Sequence, residues 1–248
     1  MANKRKNGTR RSPMIYTPLA AVLVLIIIIF GVSVFFRVTT IEVAGGSRYT
    51  ADEIIAASGI QAGDNLFLID SDAAARRITA SKPYVSKVQI ERRIPDAAII
   101  RVTESVAFAV VSEGGDYWKL DAAGRVLEHT DFSGTVGLIR VSGLNALNPR
   151  EGAPLEVAEA YKTQLGFLLD IFKAIEGEGI SRDVSNLDIT NISSITFVYR
   201  GAIDVRFGGG ENAAFKIKQL ITALADKPED FKGQVLLDRD DRVSIIER

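Results

Sequence analysis

The sequence predicts an α+β fold in which one transmembrane helix is followed by two extracytoplasmic units. Three observations predict it: a long uncharged apolar segment near the start, a β-α-α-β-β series of short elements, and a second series of strands interrupted by two helices. The chain has 248 residues, and a prior of roughly 150 residues per domain gives one or two domains. It contains no cysteine, which excludes disulfides and thiolate metal sites.

The membrane-spanning segment is predicted from Ile15 to Phe36, 22 residues without a charge. As a helix it would be roughly 33 Å long, enough to cross a hydrocarbon core of about 30 Å. A cleavable signal peptide, the main alternative, has a shorter apolar core that ends in small residues. This segment ends in Val34-Phe35-Phe36-Arg37, which is a poor cleavage site, so we expect an uncleaved anchor.

The direction of the span is predicted from the basic residues before it, which are Lys4, Arg5, Lys6, Arg10 and Arg11. No acidic residue lies in this tail, residues 1–14, so the positive-inside rule places the tail in the cytoplasm and the chain from Arg37 onward outside. The remainder carries 25 basic and 31 acidic residues. A basic tail on an acidic body fits a membrane-oriented protein better than a nucleic-acid binder. Together with the span, the orientation predicts a single-pass type II protein of the plasma or inner membrane.

The first unit, residues 37–105, is predicted to be a three-stranded sheet with two helices on one face. Its elements are a strand at 38–43, helices at 50–59 and 70–83, and strands at 85–92 and 98–104. Thr50 and Glu53 form a capping box at the start of the first helix, and Asp70 caps the second. The last two strands alternate apolar and polar residues across Ile94-Pro95-Asp96, so each has one buried face.

Five motifs in this unit occur in a fixed order directly after the span. They are V-x-G at 43–45, Y-T-A-D-E-I at 49–54, G-x-N-L-F-x-I-D at 63–70, P-Y-V-x-x-V-x-I-x-R-x-I-P at 83–95 and I-x-V-x-E at 100–104. Together they resemble the POTRA domain of the FtsQ/DivIB family of bacterial cell-division proteins. Two turn positions differ from the family pattern, since Gly46 replaces an Asn and Ser105-Val106-Ala107 replaces a Pro-Ala step.

The second unit, residues 106–248, is predicted to mix short strands with two helices. Strands are expected at 108–111, 117–120, 126–128 and 136–141, a long helix at 154–176, a hairpin at 194–200 and 202–207, a helix at 213–224, and strands at 234–238 and 242–246. The stretch YWKLDAAGRVL resembles the start of the β domain of the same family.

No catalytic, cofactor or metal site is predicted. His129 is the single histidine and no nucleophile motif accompanies it. The stretch FGGGEN at 207–212 lacks the Lys-Ser/Thr of a phosphate loop, and DRDD at 238–241 lacks the spacing of an EF-hand. We also expect neither nucleic acid nor a small-molecule substrate as a ligand.

The last strand is the candidate binding site. An apolar strand at the edge of a sheet leaves unpaired N–H and C=O groups that another strand can pair with. An interior or self-covered strand is the alternative. The resemblance implies that FtsB, called DivIC in Gram-positive bacteria, adds a segment here, and the residues that match this region by position are Asp238, Arg242, Val243, Ser244, Ile245 and Ile246.

The resemblance therefore implies a non-catalytic scaffold at the division septum. It would bind FtsB/DivIC and FtsL outside the membrane and help to control septal peptidoglycan synthesis. Three alternatives stay open: a POTRA-type chaperone or translocation factor, which tandem POTRA modules would favour; a cell-wall enzyme, which a nucleophile with a base would favour; and a membrane-anchored sensor, which a polar pocket in the second unit would favour.

Overall fold

A computed structural model describes residues 16–228, 230–239 and 242–247. Its helices are α1 (Tyr16–Phe35), α2 (Ala51–Ser58), α3 (Ser71–Ser81), α4 (Lys162–Gly177) and α5 (Ala213–Leu224). Its strands are β1 (Thr40–Ala44), β2 (Val85–Arg93), β3 (Ala97–Glu104), β4 (Ala109–Glu113), β5 (Asp116–Leu120), β6 (Val126–Thr130), β7 (Ile139–Ser142), β8 (Val184–Asp188), β9 (Ile195–Tyr199), β10 (Ile203–Gly208), β11 (Gly233–Arg239) and β12 (Arg242–Glu247). The predicted α+β class with its N-terminal apolar helix is confirmed.

Helix α1 has the length and composition of a membrane span. Its segment Pro18–Phe35 has a mean hydropathy of 2.9 and none of it is buried against the rest of the chain. A helix that is apolar on all sides and packs against no protein surface fits a lipid environment. Ile15 and the five basic residues of the tail, Lys4, Arg5, Lys6, Arg10 and Arg11, lie outside the described residues.

The first unit, residues 37–105, which we call the POTRA module after the domain it resembles, is a three-stranded sheet in the order β1-β3-β2, with α2 and α3 packed on it. β1 runs parallel to β3. β2 runs antiparallel to β3, as expected for the hairpin predicted across Ile94-Pro95-Asp96. The predicted capping box is present: the Thr50 N–H donates to Glu53 Oε2 at 2.9 Å, and the Glu53 N–H donates to Thr50 Oγ1 at 3.3 Å. The Ala73 N–H donates to Asp70 Oδ1 at 2.9 Å, which begins α3 as predicted.

Two motif residues, Gly45 and Glu104, shape the turn that follows β1. Gly45 has a φ of +80°, and an added Cβ would overlap the carbonyl oxygen of Val102. Glu104 Oε1 accepts hydrogen bonds from the N–H groups of Ser47 at 2.8 Å and Arg48 at 2.7 Å. The closing glutamate of the family motif therefore holds the glycine turn that follows β1.

The second unit, residues 106–248, is called the β domain below. Its described strands form one nine-stranded mixed sheet in the order β12-β11-β10-β9-β8-β7-β4-β5-β6. Helices α4 and α5 pack on one face of it. The largest fully buried side chains in the core that the sheet forms with these helices are Phe172, Phe197, Phe207, Leu168, Ile171, Leu120 and Ile139. This arrangement leaves the ends of the sheet as the places where a further strand could pair.

The structure corrects two predictions in this domain. The helix predicted from residue 154 begins at Lys162, after a 3-10 turn at Glu159–Tyr161. The preceding residues are extended, because Pro154 bridges to Arg125 and Val157 bridges to Ala146. In addition, strand β8 (Val184–Asp188) was not predicted: its apolar positions are too few to show alternation, and Asn186 interrupts it with a φ of +48°.

Candidate functional site: the C-terminal edge of the sheet

Strand β12 lies at one end of the nine-stranded sheet. It pairs antiparallel with β11, with Val235 opposite Ile245 and Leu236 opposite Ser244. Within the described ranges, β11 is the only strand that pairs with it. One whole side of the β12 backbone therefore faces away from the sheet, which is the edge geometry that the sequence predicted.

The side chains of β12 divide into two sets. Val243 and Ile245 are half-buried and pack against the core of the β domain. Ser244 and Ile246 are exposed on the opposite face, and the Ile246 side chain is 50% exposed. The first set holds the strand on the sheet, while the second set is available to a partner that approaches along the edge.

The six residues predicted from the family pattern lie together but not on one strand. Asp238 is near the end of β11, and the other five, Arg242, Val243, Ser244, Ile245 and Ile246, lie on β12. The side chains of Asp238 and Arg242 lie outside the described part of the chain, as do residues 240 and 241.

The opposite end of the sheet is covered. Strand β6 is its last strand, and the segment at 151–153 runs along it. The Val126 N–H donates to the Ala153 carbonyl oxygen at 2.8 Å, the Gly152 N–H donates to the Val126 carbonyl oxygen at 2.8 Å, and the His129 N–H donates to Glu151 Oε1 at 3.3 Å. The two ends of the sheet thus differ within the described residues: edge groups of Val126 and His129 on β6 are bonded by the 151–153 segment, whereas no described strand pairs with the outer side of β12.

A fixed junction sets the direction of this sheet relative to the POTRA module. Arg125 Nη1 donates to the Val85 carbonyl oxygen at 3.0 Å, and Nη2 donates to the Thr79 carbonyl oxygen. Asp121, which is buried, accepts from Ser105 Oγ at 2.8 Å and from the Arg125 N–H at 2.9 Å. These residues connect the end of α3, the start of β2 and Ser105 with the β5–β6 turn, and the sequence analysis did not identify them.

A charged cluster lies beside this junction. The Arg48 guanidinium lies 3.5 Å from the ring centroid of Tyr84 and 3.0 Å from Glu128, which also pairs with Lys119 at 2.7 Å. Burial raises the pKa of Tyr84 to about 12, and the nearby Glu128 adds to the effect. Burial acts to raise the pKa of Glu128 as well, but the hydrogen bond and charge of Lys119 outweigh it, so that pKa lies below its usual range.

His129 and the FGGGEN turn, which the sequence analysis considered for catalysis and phosphate binding, contact other residues of the same chain. His129 Nε2 lies 3.2 Å from Asp116 Oδ1 on an exposed strand, and its ring meets Trp118 edge-to-face. In the FGGGEN turn, Lys216 Nζ donates to the Gly209 carbonyl oxygen at 2.9 Å, so the loop binds a lysine of its own chain. Among the described residues no group of three or more His, Asp or Glu side chains could hold a metal ion.

Comparison with known proteins gives one consistent result. The family profile described as POTRA domain, FtsQ-type, matches residues 36–105. The cell division protein DivIB of Clostridium tetani is 26% identical over 195 residues, 79% of this chain and 72% of that protein. FtsQ of Syntrophotalea carbinolica is 30% identical over 177 residues, 70% of this chain and 60% of that protein. FtsQ of Streptomyces venezuelae is 27% identical over 205 residues, 79% of this chain and 70% of that protein. The predicted resemblance to FtsQ/DivIB cell-division proteins is confirmed.

Proposed function

We propose that this chain, a relative of the FtsQ and DivIB cell-division proteins, is a non-catalytic scaffold whose β12 edge receives a strand from a partner of the FtsB/DivIC type. The observation that carries the proposal is the difference between the two ends of the sheet. The β6 edge is covered by residues 151–153, whereas β12 pairs on one side only in the described part of the chain.

Main-chain hydrogen bonds between the strands would provide affinity for this partner, and side-chain contacts would provide specificity. Val243 and Ile245 hold β12 against the core, so the strand keeps its shape before a partner arrives. A pre-ordered edge loses little conformational freedom on binding. Ser244 and the half-exposed Ile246 then present a small polar and a large apolar contact on the face that the helices leave open.

The scaffold would act outside the cytoplasmic membrane at the septum. Together with FtsL, the bound FtsB/DivIC-type partner would help to control septal peptidoglycan synthesis, which requires no reaction on this chain. The orientation rests on Lys4, Arg5, Lys6, Arg10 and Arg11, which would keep the tail in the cytoplasm.

A proline scan of β12 tests the binding site. Val243, Ser244, Ile245 and Ile246 would each be changed to proline in the full chain, and binding to the FtsB/DivIC-type protein of the same organism would be measured. Successive N–H groups of a strand point to opposite sides. We therefore expect affinity to fall by roughly tenfold or more, about 1.4 kcal/mol, at alternate positions only. At those positions the thermal midpoint should stay unchanged, because the lost N–H faced away from β11.

Alanine at each of the same four positions is the matched control, since it keeps the N–H group. Loss of binding in both the alanine and the proline variants of one residue would assign that position to side-chain recognition. A native chain that does not bind, or four proline variants that all bind as the native chain does, would refute the proposed edge.

The orientation has a separate test that uses the absence of cysteine. Asn7→Cys and Val136→Cys would be introduced singly, since residue 136 is 84% exposed in the β domain. A membrane-impermeant maleimide should label the cysteine at 136 in spheroplasts and label the one at 7 only after lysis. The reverse pattern would contradict the proposed topology.

A further inference from the structure

We infer that the POTRA module has a second attachment to the bilayer, in which the Phe67-Leu68 loop and the Ile94 turn enter the lipid interface beside α1. The inference rests on the membrane anchoring in the proposed function, and adds to it a lipid-binding surface on the folded module. Its occupant would be the bilayer itself, through acyl chains and lipid phosphates.

The first loop is bonded to the last turn of α1. Asn65 Nδ2 donates to the Val32 carbonyl oxygen at 3.3 Å, and the Leu66 N–H donates to the Phe36 carbonyl oxygen at 2.7 Å. The Phe67 ring meets the Phe36 ring edge-to-face, with 4.9 Å between centroids. The loop therefore lies where α1 ends, at the depth of the membrane surface.

The side chains in this loop have two different environments. Leu66 and Ile69 are buried in the POTRA core, whereas Leu68 is 83% exposed and Phe67 is 47% exposed. Two adjacent large apolar side chains facing out of a loop are not needed by the core. Apolar groups of this size lower their free energy at the boundary between headgroups and acyl chains.

A second apolar turn lies at the same end of the module. Ile94 is 63% exposed in the turn between β2 and β3. The Thr39 N–H donates to the Asp96 carbonyl oxygen at 2.8 Å. Thr39 comes three residues after Phe36, the last residue of the apolar segment, so this bond holds the turn close to the end of α1. Arg92 Nη2 donates to the Ile69 carbonyl oxygen at 2.8 Å and connects the two loops. The exposed apolar residues Phe67, Leu68 and Ile94 thus lie in two connected loops, each bonded to the chain at or just after the end of α1.

The charges around this surface suit a lipid partner. Arg37 directly follows the apolar segment, and Arg92 and Arg93 directly precede Ile94. Guanidinium groups bind phosphate oxygens well; here Arg37 Nε also donates to the Ser33 carbonyl oxygen and Arg92 Nη2 to the Ile69 carbonyl oxygen. The acidic side chains here accept hydrogen bonds from the module itself: Asp64 from the Gln61 N–H, Asp70 from the Ala73 N–H and Asp96 from the Thr39 hydroxyl. Continuity with α1 favours the bilayer over a separate protein as the occupant.

Such a second attachment would restrict how the module tilts at Arg37. Because the Arg125 junction connects the module with the β domain, the β12 edge would then stand at a set orientation above the membrane. A flexible tether at the membrane would leave that edge to sample many orientations.

Tryptophan quenching by brominated lipids tests the inference. The single tryptophan would be replaced by Trp118→Phe, and Leu68→Trp added, in the full chain in nanodiscs of phosphatidylcholine and phosphatidylglycerol. Ile26→Trp in α1 and Val136→Trp in the β domain are the controls, and circular dichroism checks the fold of each variant. An interfacial ring lies about 5–10 Å into the headgroup boundary, so the tryptophan at 68 should lose roughly half of its emission or more. The one at 136 should lose none.

The controls separate failure of this inference from failure of the anchoring. Quenching at 26 without quenching at 68 would leave the anchor in place and overturn the second attachment. No quenching at 26 would overturn the membrane anchoring and, with it, the inference. An unquenched tryptophan at 68 whose emission shifts to the blue only when the FtsB/DivIC-type partner is added would assign the surface to protein and also overturn the lipid contact.

Discussion

Arg125 Nη1 donates a 3.0 Å hydrogen bond to the carbonyl oxygen of Val85, across the junction between the β domain and the POTRA module. The same guanidinium reaches Thr79 near the C-terminal end of α3, where helical carbonyl groups lack partners within the helix. Backbone also approaches closely here, since a Cβ added to Gly152 would lie 3.3 Å from the Ala80 carbonyl oxygen. The two units are therefore joined by a specific contact.

Replacing Arg125 by methionine should destabilise this junction. The change keeps much of the side-chain volume but leaves the Thr79 and Val85 carbonyl groups without their donor, and we expect a loss of about 3 kcal/mol. Arg125→Lys should lose less stability than Arg125→Met, because the ammonium group keeps the charge and can donate to one of the carbonyl groups. It should still lose some, because it cannot contact both carbonyl groups as the guanidinium does. Thermal unfolding of the full chain in nanodiscs measures both. A methionine variant as stable as the native chain would contradict the structural role of this contact.

Replacing Glu104 by alanine should loosen the turn after β1. Ser47 and Arg48 would lose the acceptor of their N–H groups, and we expect a loss of about 2 kcal/mol. Hydrogen exchange at these two amides gives a local measurement, and both should exchange faster. Glu104→Gln is the control because it keeps an acceptor oxygen. Unchanged exchange in the alanine variant would refute the contact.

Alanine substitutions at Gly45 and Gly115 distinguish the cost of a positive φ from the cost of a steric overlap. Both have positive φ values, +80° and +96°. An alanine at 115 would meet open space, whereas an alanine at 45 would overlap the Val102 carbonyl oxygen. We expect Gly115→Ala to lose about 1 kcal/mol from conformation alone, and Gly45→Ala to lose several times more. Equal thermal midpoints for the two variants would show that the approach to Val102 relaxes without effect.

Acid should weaken the POTRA module through Glu53. The Thr50 N–H bond comes first among the causes that lower the pKa of Glu53 to about 2 from 4.5, followed by hydrogen bonding to Lys82. Because the folded-state pKa is the lower one, the ionised carboxylate stabilises the module above about pH 4.5, and this stabilisation disappears as the pH falls toward 2. Thermal midpoints between pH 6 and pH 2 should therefore fall more steeply for the native chain than for Glu53→Gln. Parallel curves would exclude this contribution.

Local signals in the sequence predicted local structure well. The capping residues Thr50, Glu53 and Asp70 form the expected bonds, and α5 occupies the predicted residues 213–224. In each case the interaction lies within about one turn of helix or follows a repeated apolar stripe, so neighbouring residues carry the information. The same holds for the hairpin across Ile94-Pro95-Asp96.

Contacts between distant parts of the chain gave the errors. The sequence predicts a helix at Pro154 and Val157, but these residues form β-bridges with Arg125 and Ala146. The residue pattern within 154–157 does not indicate these bridges, because it contains no information on the partner segments. Strand β8 was missed because it is stabilised by pairing with β7 and β9 and not by its own alternation. The sequence does not single out Arg125, since its acceptors lie 40 and 46 positions away.

The sequence by itself determined that a long apolar helix precedes an FtsQ-type POTRA module, because hydropathy, capping and turn motifs act over short distances. It also indicated an apolar last strand. Only the tertiary structure decided that this strand lies at an end of the sheet, with one neighbour among the described residues, that residues 151–153 bond to the strand at the opposite end, and that the Phe67-Leu68 loop lies beside α1. Strand order and edge coverage depend on which distant segments meet, and that choice results from packing of the whole chain.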